Sequence, residues 1–299
     1  MAGADAYLSV TSSGEFIRTS YAFPSRANGL KVAAPGPNSV HYSGKTSGAT
    51  ALASRTCHLI HDALEEAYGN LFIKLSNSEK ALLLKALLVH TATWPKESAS
   101  VIKSVLGPSD NKQHVKQKDN IRRFLGFGIG DPEKALSCAN DRATFWASGR
   151  LAKERGVLVN VPIPSCVNTK ALPKVLVATL AWFTPVAHGR QSYRTVRLKL
   201  ELLDGKEKLR VDSSGLHQPD VNQASKGTVF SQRWEGHRAI AASSDQFITF
   251  RIQREPDQQS ISDEEVPFGI AITFSMPGVL EIYDEVRNIV ETTIQQKVR

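Results

Sequence analysis

The most informative segment of the chain is Ser43-Gly44-Lys45-Thr46-Ser47-Gly48-Ala49-Thr50-Ala51-Leu52-Ala53. Its small residues predict a tight turn, and the apolar spacing that follows predicts a helix from Ser47 to about Tyr68. A serine at a helix N-terminus lies beside unpaired backbone N–H groups and the positive end of the helix dipole, which suits acyl transfer. Ser47 is therefore the candidate nucleophile. Gly44, Lys45 and Thr46 are the candidate residues of its substrate and oxyanion neighbourhood.

The chain up to about residue 150 is predicted to be rich in helices. Residues 30–34 form a short strand that Pro35-Gly36-Pro37 ends, and Gly69-Asn70 ends the Ser47 helix. A capping box from Ser76 to Glu79 starts a second helix, which ends at Trp94-Pro95. Further along, residues 107–120 are predicted to be an exposed insertion, and Asp131 and Pro132 are predicted to cap and start a helix.

The chain after about residue 150 is predicted to be rich in strands. Strands are expected at residues 157–163, 174–183, 193–203, 228–234, 246–254 and 266–275. Asp204-Gly205 resembles a hairpin turn, and an amphipathic helix over residues 282–294 closes the chain. Successive strands without helices between them indicate a β-sandwich. Two domains are therefore expected, at residues 1–150 and 151–299.

The serine segment resembles the nucleophile motif of the subtilases, the subtilisin-like serine peptidases, whose pattern is G-T-S-x-A followed by a long helix. Three other segments resemble elements of that family in the right order: residues 23–36 resemble F-S-S-R-G and then K-P-D-V-x-A-P-G, residues 126–135 resemble G-Y-G-x-x-D/N-x-x-x-A, and residues 175–182 resemble the L-x-V-T-L-x-W strand of an appended β-domain. The resemblance extends from about residue 20 to the end. Lys45 departs from it, because the family usually has glycine there. Lysine either tolerates the geometry or disturbs the substrate cleft.

The resemblance implies a Ser-His-Asp peptidase that is incomplete in this chain. A serine hydroxyl needs a base within hydrogen-bond reach and a carboxylate that orients the base. In subtilisin the Asp and His come before the Ser in the chain, the His roughly 150 residues ahead of it, and only 46 residues precede Ser47 here. We therefore expect the Asp, the His and the side-chain oxyanion donor to lie on polypeptide that this chain does not contain. A truncated gene, a wrongly assigned start codon and a split enzyme with a separate N-terminal half would each produce this arrangement. The isolated chain is expected to be inactive.

The implied fold is the C-terminal part of a doubly wound α/β domain, followed by an all-β, jelly-roll-like sandwich and a C-terminal helix. Most parallel strands of the α/β domain would precede residue 1. The helix that starts at Ser47 would then lack the sheet on which it packs. Leu52, Ile60 and Leu64 are accordingly expected to be exposed, and the chain to aggregate or to require a partner.

No other residue in the sequence is a good substitute for the missing base. His58 and His61 would lie roughly 16 and 21 Å along the helix from Ser47, and Asp62 and Glu65 share that distance. His41 is six residues upstream in a loop. The remaining histidines are scattered without metal-ligand spacing, so no metal or cofactor is expected. Three widely spaced cysteines indicate a reducing compartment rather than disulfides.

Two other functions remain open beside a peptidase that acts on peptides or proteins. The chain could be a non-catalytic module, derived from such a peptidase, that binds protein or carbohydrate. A net charge of +8 also permits contact with nucleic acid, but no interleaved aromatics or known motif support that reading. The chain has no apolar run of membrane-spanning length and no secretory signal, so a cytoplasmic location is expected.

Overall fold

The structure is a computed structural model that describes residues 6–10, 13, 17–21, 29–105, 121–122, 124–136, 139–168, 170–187, 189, 194–214, 227–240, 247–256 and 264–297. The chain divides into two compact units, each made of separate segments. The first unit comprises Met1–Ala63 and Thr93–Ile129, and the second comprises Leu64–Ala92 and Gly130–Arg299. In the described part, no helix combines the length and the apolar character needed to span a membrane.

Both units contain helices and antiparallel strands. The helices are α1 (Lys45–Tyr68), α2 (Asn70–Ile73), α3 (Asn77–His90), α4 (Lys96–Val105), α5 (Pro132–Leu136), α6 (Gly205–Lys208) and α7 (Ile282–Lys297). The strands are β1 (Ala6–Val10), β2 (Ile17–Tyr21), β3 (Leu30–Ala33), β4 (Val40–Ser43), β5 (Arg142–Leu151), β6 (Gly156–Pro162), β7 (Lys174–Trp182), β8 (Val196–Leu202), β9 (Asp212–Ser213), β10 (Val229–Gly236), β11 (Phe247–Pro256) and β12 (Val266–Ser275).

The first unit contains two hairpins, β1–β2 and β3–β4, and most of α1. The predicted strand at residues 30–34 is confirmed as β3, and the predicted helix is confirmed as α1, which begins two residues earlier than expected. Helix α4 was not predicted, because Trp94-Pro95 indicated only the end of the preceding helix. Its carbonyl accepts the Ala99 N–H at 3.0 Å, so Pro95 also opens the next helix. The predicted insertion at residues 107–120 and the family-like residues 23–26 lie outside the described residues.

The expected exposure of the apolar face of α1 is wrong. Ile60 is 1% exposed and Leu64 is 8% exposed, while Leu52 is half-buried. These side chains are covered by residues of this chain itself. The described part therefore does not leave the helix face bare, and exposure of this face gives no reason to expect aggregation.

The second unit is built on two antiparallel sheets. One sheet has the strand order β5-β12-β7-β10-β9, and the other has the order β6-β11-β8. Their buried side chains belong to one apolar cluster, in which Trp234 of β10 meets the Phe250 ring of β11 edge-on at 5.7 Å. The β-rich character of this region is therefore as expected. All six predicted strands are present within a few residues of their predicted bounds.

The hairpin turn that the sequence predicts in this unit needs correction. Asp204-Gly205 is not a hairpin turn, because β8 pairs with β11 and Gly205 begins helix α6. The Asp204 carboxylate accepts the Thr249 N–H at 2.8 Å and pairs with Lys208 at 2.8 Å. Strand β5 was not predicted, and it pairs along its whole length with β12. The division into two domains near residue 150 stays a prediction.

Helix α3 packs on the five-stranded sheet, across β12, β7 and β5. Its predicted capping box is confirmed: Glu79 N–H donates to Ser76 Oγ, and Ser76 N–H donates to Glu79 Oε2. The helix approaches β12 so closely at Gly269 that a Cβ there would lie 2.7 Å from Leu83 N. Alternate residues of β12 thus have different tasks, since Phe268 and Ile270 enter the apolar cluster while Gly269 faces the helix.

The expected doubly wound α/β architecture has no counterpart among the described strand pairs. Each pairing in the described ranges is antiparallel. The doubly wound architecture therefore stays a proposal.

Candidate active site

Ser47 is the third residue of α1 and is exposed to solvent. The β3–β4 hairpin delivers the chain to this point: β4 ends at Ser43, Gly44 is buried, and the helix starts at Lys45. Thr46 is also exposed, and its carbonyl accepts the Thr50 hydroxyl at 2.9 Å. The predicted placement of a serine at the mouth of a helix is therefore present, with its side chain open to an approaching substrate.

The first turn of α1 provides an electropositive environment for that serine. The N–H groups of the first helical residues have no acceptor within the helix, and the helix dipole adds partial positive charge at this end. The first turn of α1 carries no acidic residue. The Ser47 N–H therefore lies in an electropositive environment that no acidic residue of the first turn of α1 neutralises.

Lys45 tolerates its position in the backbone. It is the first residue of α1, and positive φ angles among the described non-glycine residues occur at Asn38, Glu154 and Arg210. The glycine that the family usually has at this position is thus not required by an unusual backbone conformation.

The turn between β3 and β4 is held by Ser39. Its hydroxyl lies 2.9 Å from the carbonyl oxygen of Ala34, 2.7 Å from that of Pro35 and 3.0 Å from that of Gly36, so its single proton is shared among three acceptors. Gly36 has a φ of 114°, which favours glycine. This Ala-Pro-Gly segment, one of the family-like elements, therefore has a structural task in fixing the hairpin that precedes Ser47.

The described part of the chain contains no base for Ser47. No described side chain hydrogen-bonds its hydroxyl. Imidazole–carboxylate contacts on α1 join Asp62 to His58 and to His61, each at 3.5 Å. Because α1 is one continuous helix, His58 and His61 lie roughly 16 and 21 Å along its axis from Ser47. His41, in the middle of β4, pairs with Val32. The structure thus brings Ser47 together with Gly44, Lys45 and Thr46, and with none of these histidines.

The glycine-rich element at residues 126–131 also has local structural tasks. In the first unit, Thr93 and Ile129 exchange backbone hydrogen bonds of 3.0 and 2.9 Å, and a Cβ on Gly128 would lie 2.2 Å from the Thr93 carbonyl oxygen. In the second unit, Asp131 accepts the Lys134 N–H at 3.2 Å and Pro132 starts α5, as predicted. Burial by itself raises the pKa of Asp131, but the hydrogen bonds and charge of Lys134 outweigh it, so the pKa is lowered.

Other reactive side chains do not form a second site. Cys57 and Cys166 are free, and Cys138 lies outside the described residues. Burial raises the pKa of both described thiols, and burial together with the nearby Glu285 raises that of Cys166 to about 11. Neither thiol is therefore an activated nucleophile at neutral pH. Among the described residues, no group of three His, Cys, Asp or Glu side chains is placed to hold a metal ion.

Comparisons with known proteins give partial similarities. The chain matches no protein-family model. It is 26% identical to the uncharacterized protein y4bN of Sinorhizobium fredii over 127 residues, which are 42% of this chain and 27% of that protein. It is 30% identical to UvrABC system protein A of Mycobacterium tuberculosis over 105 residues, 34% of this chain and 11% of that protein. The chain thus spans a minor part of both relatives, and no family membership is established.

Two solved capsid structures share a low similarity with the chain. The cyanophage Pam1 capsid asymmetric unit has a TM-score of 0.27 at 14% identity, over 46% of this chain and 86% of that one. The acidic stable capsid structure of Helicobacter pylori bacteriophage KHP30 has a TM-score of 0.19 at 10% identity, over 44% of this chain and 95% of that one.

Proposed function

We propose that this chain supplies the nucleophile of a subtilisin-like serine endopeptidase, and that the catalytic Asp and His lie on an N-terminal polypeptide. The observation that carries the proposal is the exposed Ser47 hydroxyl in the first turn of a 24-residue helix. The family-like order of the segments around it supports the same reading. The substrate class is peptides or proteins, and no cofactor takes part in the reaction.

The proposed reaction has two half-reactions. In the first, the partner's histidine takes the Ser47 proton while Oγ attacks the peptide carbonyl carbon, and the Ser47 N–H stabilises the oxyanion. The histidine returns the proton to the amine as the C–N bond breaks, leaving an acyl ester on Ser47. In the second, water attacks that ester by the same route and releases the carboxylic acid.

The fold-level part of the proposal is that the helical segments complete a doubly wound α/β domain when the N-terminal polypeptide is present. The β-rich part is proposed to be a jelly-roll-like sandwich. One cluster of buried side chains drawn from both the five-stranded and the three-stranded sheet supports this arrangement.

Labelling with a fluorophosphonate tests the proposal, because this probe reacts with activated serine nucleophiles. The isolated chain is expected to take up no label. The chain mixed with a subtilisin-like N-terminal half that carries the Asp and His is expected to be labelled stoichiometrically. Replacing Ser47→Ala removes that labelling.

Ser54→Ala provides the matched control for labelling. Ser54 is also exposed and lies two turns further along the same helix, so it shares the helical setting without the N-terminal N–H groups. This variant is expected to label as the wild type does. Absence of label in a mixture whose two parts demonstrably bind each other would refute the peptidase proposal.

The second candidate function is a non-catalytic module that binds protein or carbohydrate. The observation that favours it is the missing base: no described side chain hydrogen-bonds the Ser47 hydroxyl. Its distinguishing prediction is that binding to an immobilised protein or glycan is unchanged by Ser47→Ala and is lost when surface residues of the β-rich part are replaced. The peptidase proposal predicts instead that labelling is lost in Ser47→Ala and is unchanged when those surface residues are replaced.

A further inference from the structure

A chain of hydrogen bonds joins the end of α3 to four strands of the second unit. His90 Nδ1 lies 2.9 Å from Thr179 Oγ1 on β7, and His90 Nε2 lies 2.7 Å from Thr273 Oγ1 on β12. Thr179 continues to Ser231 on β10 at 2.8 Å, and Thr273 continues to Thr144 on β5 at 2.7 Å. One imidazole therefore fastens the last residue of α3 to β5, β12, β7 and β10.

Each hydrogen bond of this network has one donor and one acceptor when the imidazole of His90 is neutral. A neutral imidazole donates from one nitrogen and accepts at the other, and each hydroxyl donates once and accepts from its neighbour. Every described member other than His90 is an uncharged hydroxyl group. Thr144 is exposed at one end of the chain, so protons can reach the imidazole along the hydroxyl groups without unfolding.

Protonation of His90 would introduce a positive charge, and the hydroxyl groups that are hydrogen-bonded to it include no counter-ion. Burial lowers the pKa of His90 to about 4. Its place at the C-terminus of α3 acts in the opposite direction, because the helix dipole favours a cation there.

Among the described residues, no ion pair joins His90 to a carboxylate, and burial is the one cause of its lowered pKa. The titratable side chains on α3 and on the elements packed against it are Glu79, Lys80 and Lys85 on α3, Arg142 and Arg150 on β5, Lys174 on β7, Arg233 and Glu235 on β10, and Asp131, Glu133 and Lys134 at α5, with none on β12. Two of the acids already have cationic partners, since Glu235 pairs with Arg233 and Asp131 with Lys134. None of these groups belongs to the hydroxyl chain.

We propose that His90 makes the attachment of α3 to the five-stranded sheet sensitive to acid, so that its protonation releases the helix from the sheet. The direction of the pH dependence follows from the difference in proton binding between the attached and released states. The released state binds a proton below the ordinary pKa of 6.5, whereas the attached state does so only below about 4. Attachment is therefore complete above pH 6.5 and weakens as the pH falls towards 4. This inference does not depend on the role of Ser47.

Hydrogen exchange of the α3 backbone amides, corrected for the intrinsic effect of pH, measures this release directly. Between pH 7.5 and pH 5 the opening of α3 is expected to increase about 30-fold. The opening of β11, which belongs to the other sheet, is expected to increase less over the same pH range. Unchanged opening of wild-type α3 across this range would overturn the proposal.

His90→Gln supplies the decisive variant, since glutamine keeps a donor and an acceptor but does not titrate. Its α3 amides are expected to show no such increase. The control is His237→Gln, which removes an exposed histidine and should retain the full increase. An undiminished increase in His90→Gln would contradict the proposal. If that variant fails to fold, the titration of the His90 ring in the wild-type protein by NMR decides: a midpoint near 4 supports the proposal, and one near 6.5 refutes it.

Discussion

Peptide hydrolysis by the chain combined with its N-terminal half is expected to fall about 10,000-fold or more when Ser47 is replaced by alanine. The physical reason is that the proposed acyl intermediate cannot form without Oγ. The oxyanion donors and the substrate contacts would remain, so the residual rate would reflect them alone. The measurement is the turnover of a fluorogenic peptide under conditions where both parts are bound.

The same assay carries its own controls. Without the N-terminal half, the wild-type chain and Ser47→Ala are expected to hydrolyse the peptide equally slowly, because neither has a base. Ser54→Ala should retain wild-type turnover in the combined enzyme, since Ser54 lies two turns along α1. Turnover in Ser47→Ala within a few-fold of the wild type would mean that another group performs the chemistry.

Gly269→Ala is expected to reduce the free energy of unfolding by about 3 kcal/mol, at the upper end of the usual cost of overpacking. A Cβ at this position would meet backbone atoms of Leu82 and Leu83 at 2.7 to 2.9 Å. Backbone atoms cannot rotate away, so α3 would have to lift from β12. That movement would also lengthen the hydrogen bonds of His90, so overpacking at position 269 would weaken the attachment of α3 at its C-terminus as well.

Gly149→Ala on the neighbouring strand β5 is the matched control. Its added Cβ would meet only the ring edge of Phe268, at 3.2 Å, and a ring can shift by a few tenths of an ångström. Its expected cost is about 1 kcal/mol or less, because alanine also loses less entropy than glycine on folding. Urea denaturation of both variants measures the difference. Equal stability of the two variants would show that α3 does not lie as close to β12 as described.

The strands of the β-rich part were predictable because the alternation of apolar and polar residues is a local signal. In β8, for example, Val196, Leu198 and Leu200 alternate with charged residues, and this alternation predicts which face of the strand is buried. Strand β5, one edge strand of the five-stranded sheet, was missed because Thr144, Ser148 and Gly149 among its apolar residues blur the alternation. The burial of Ile60 and Leu64 depends on tertiary packing, which the helical period of α1 does not encode.

The candidate site was only partly predictable. The position of Ser47 followed from small residues before an apolar helical pattern, and the structure bears out its place in the first turn of α1. The His90 network was missed because it joins residues far apart in the chain. A signal was present: Thr179 and Thr273 are hydroxyl residues with apolar residues on both sides in the chain, a position that favours a buried hydrogen-bond partner.

The most direct test of the nucleophile is to trap the acyl intermediate. The combined enzyme is mixed with an activated ester, quenched in acid after a few turnovers, digested and mapped by mass spectrometry. The acyl group is predicted on the peptide that contains Ser47, at Ser47 itself. An acyl group on a different residue, or none during measurable turnover, would contradict the assignment of Ser47 as the nucleophile.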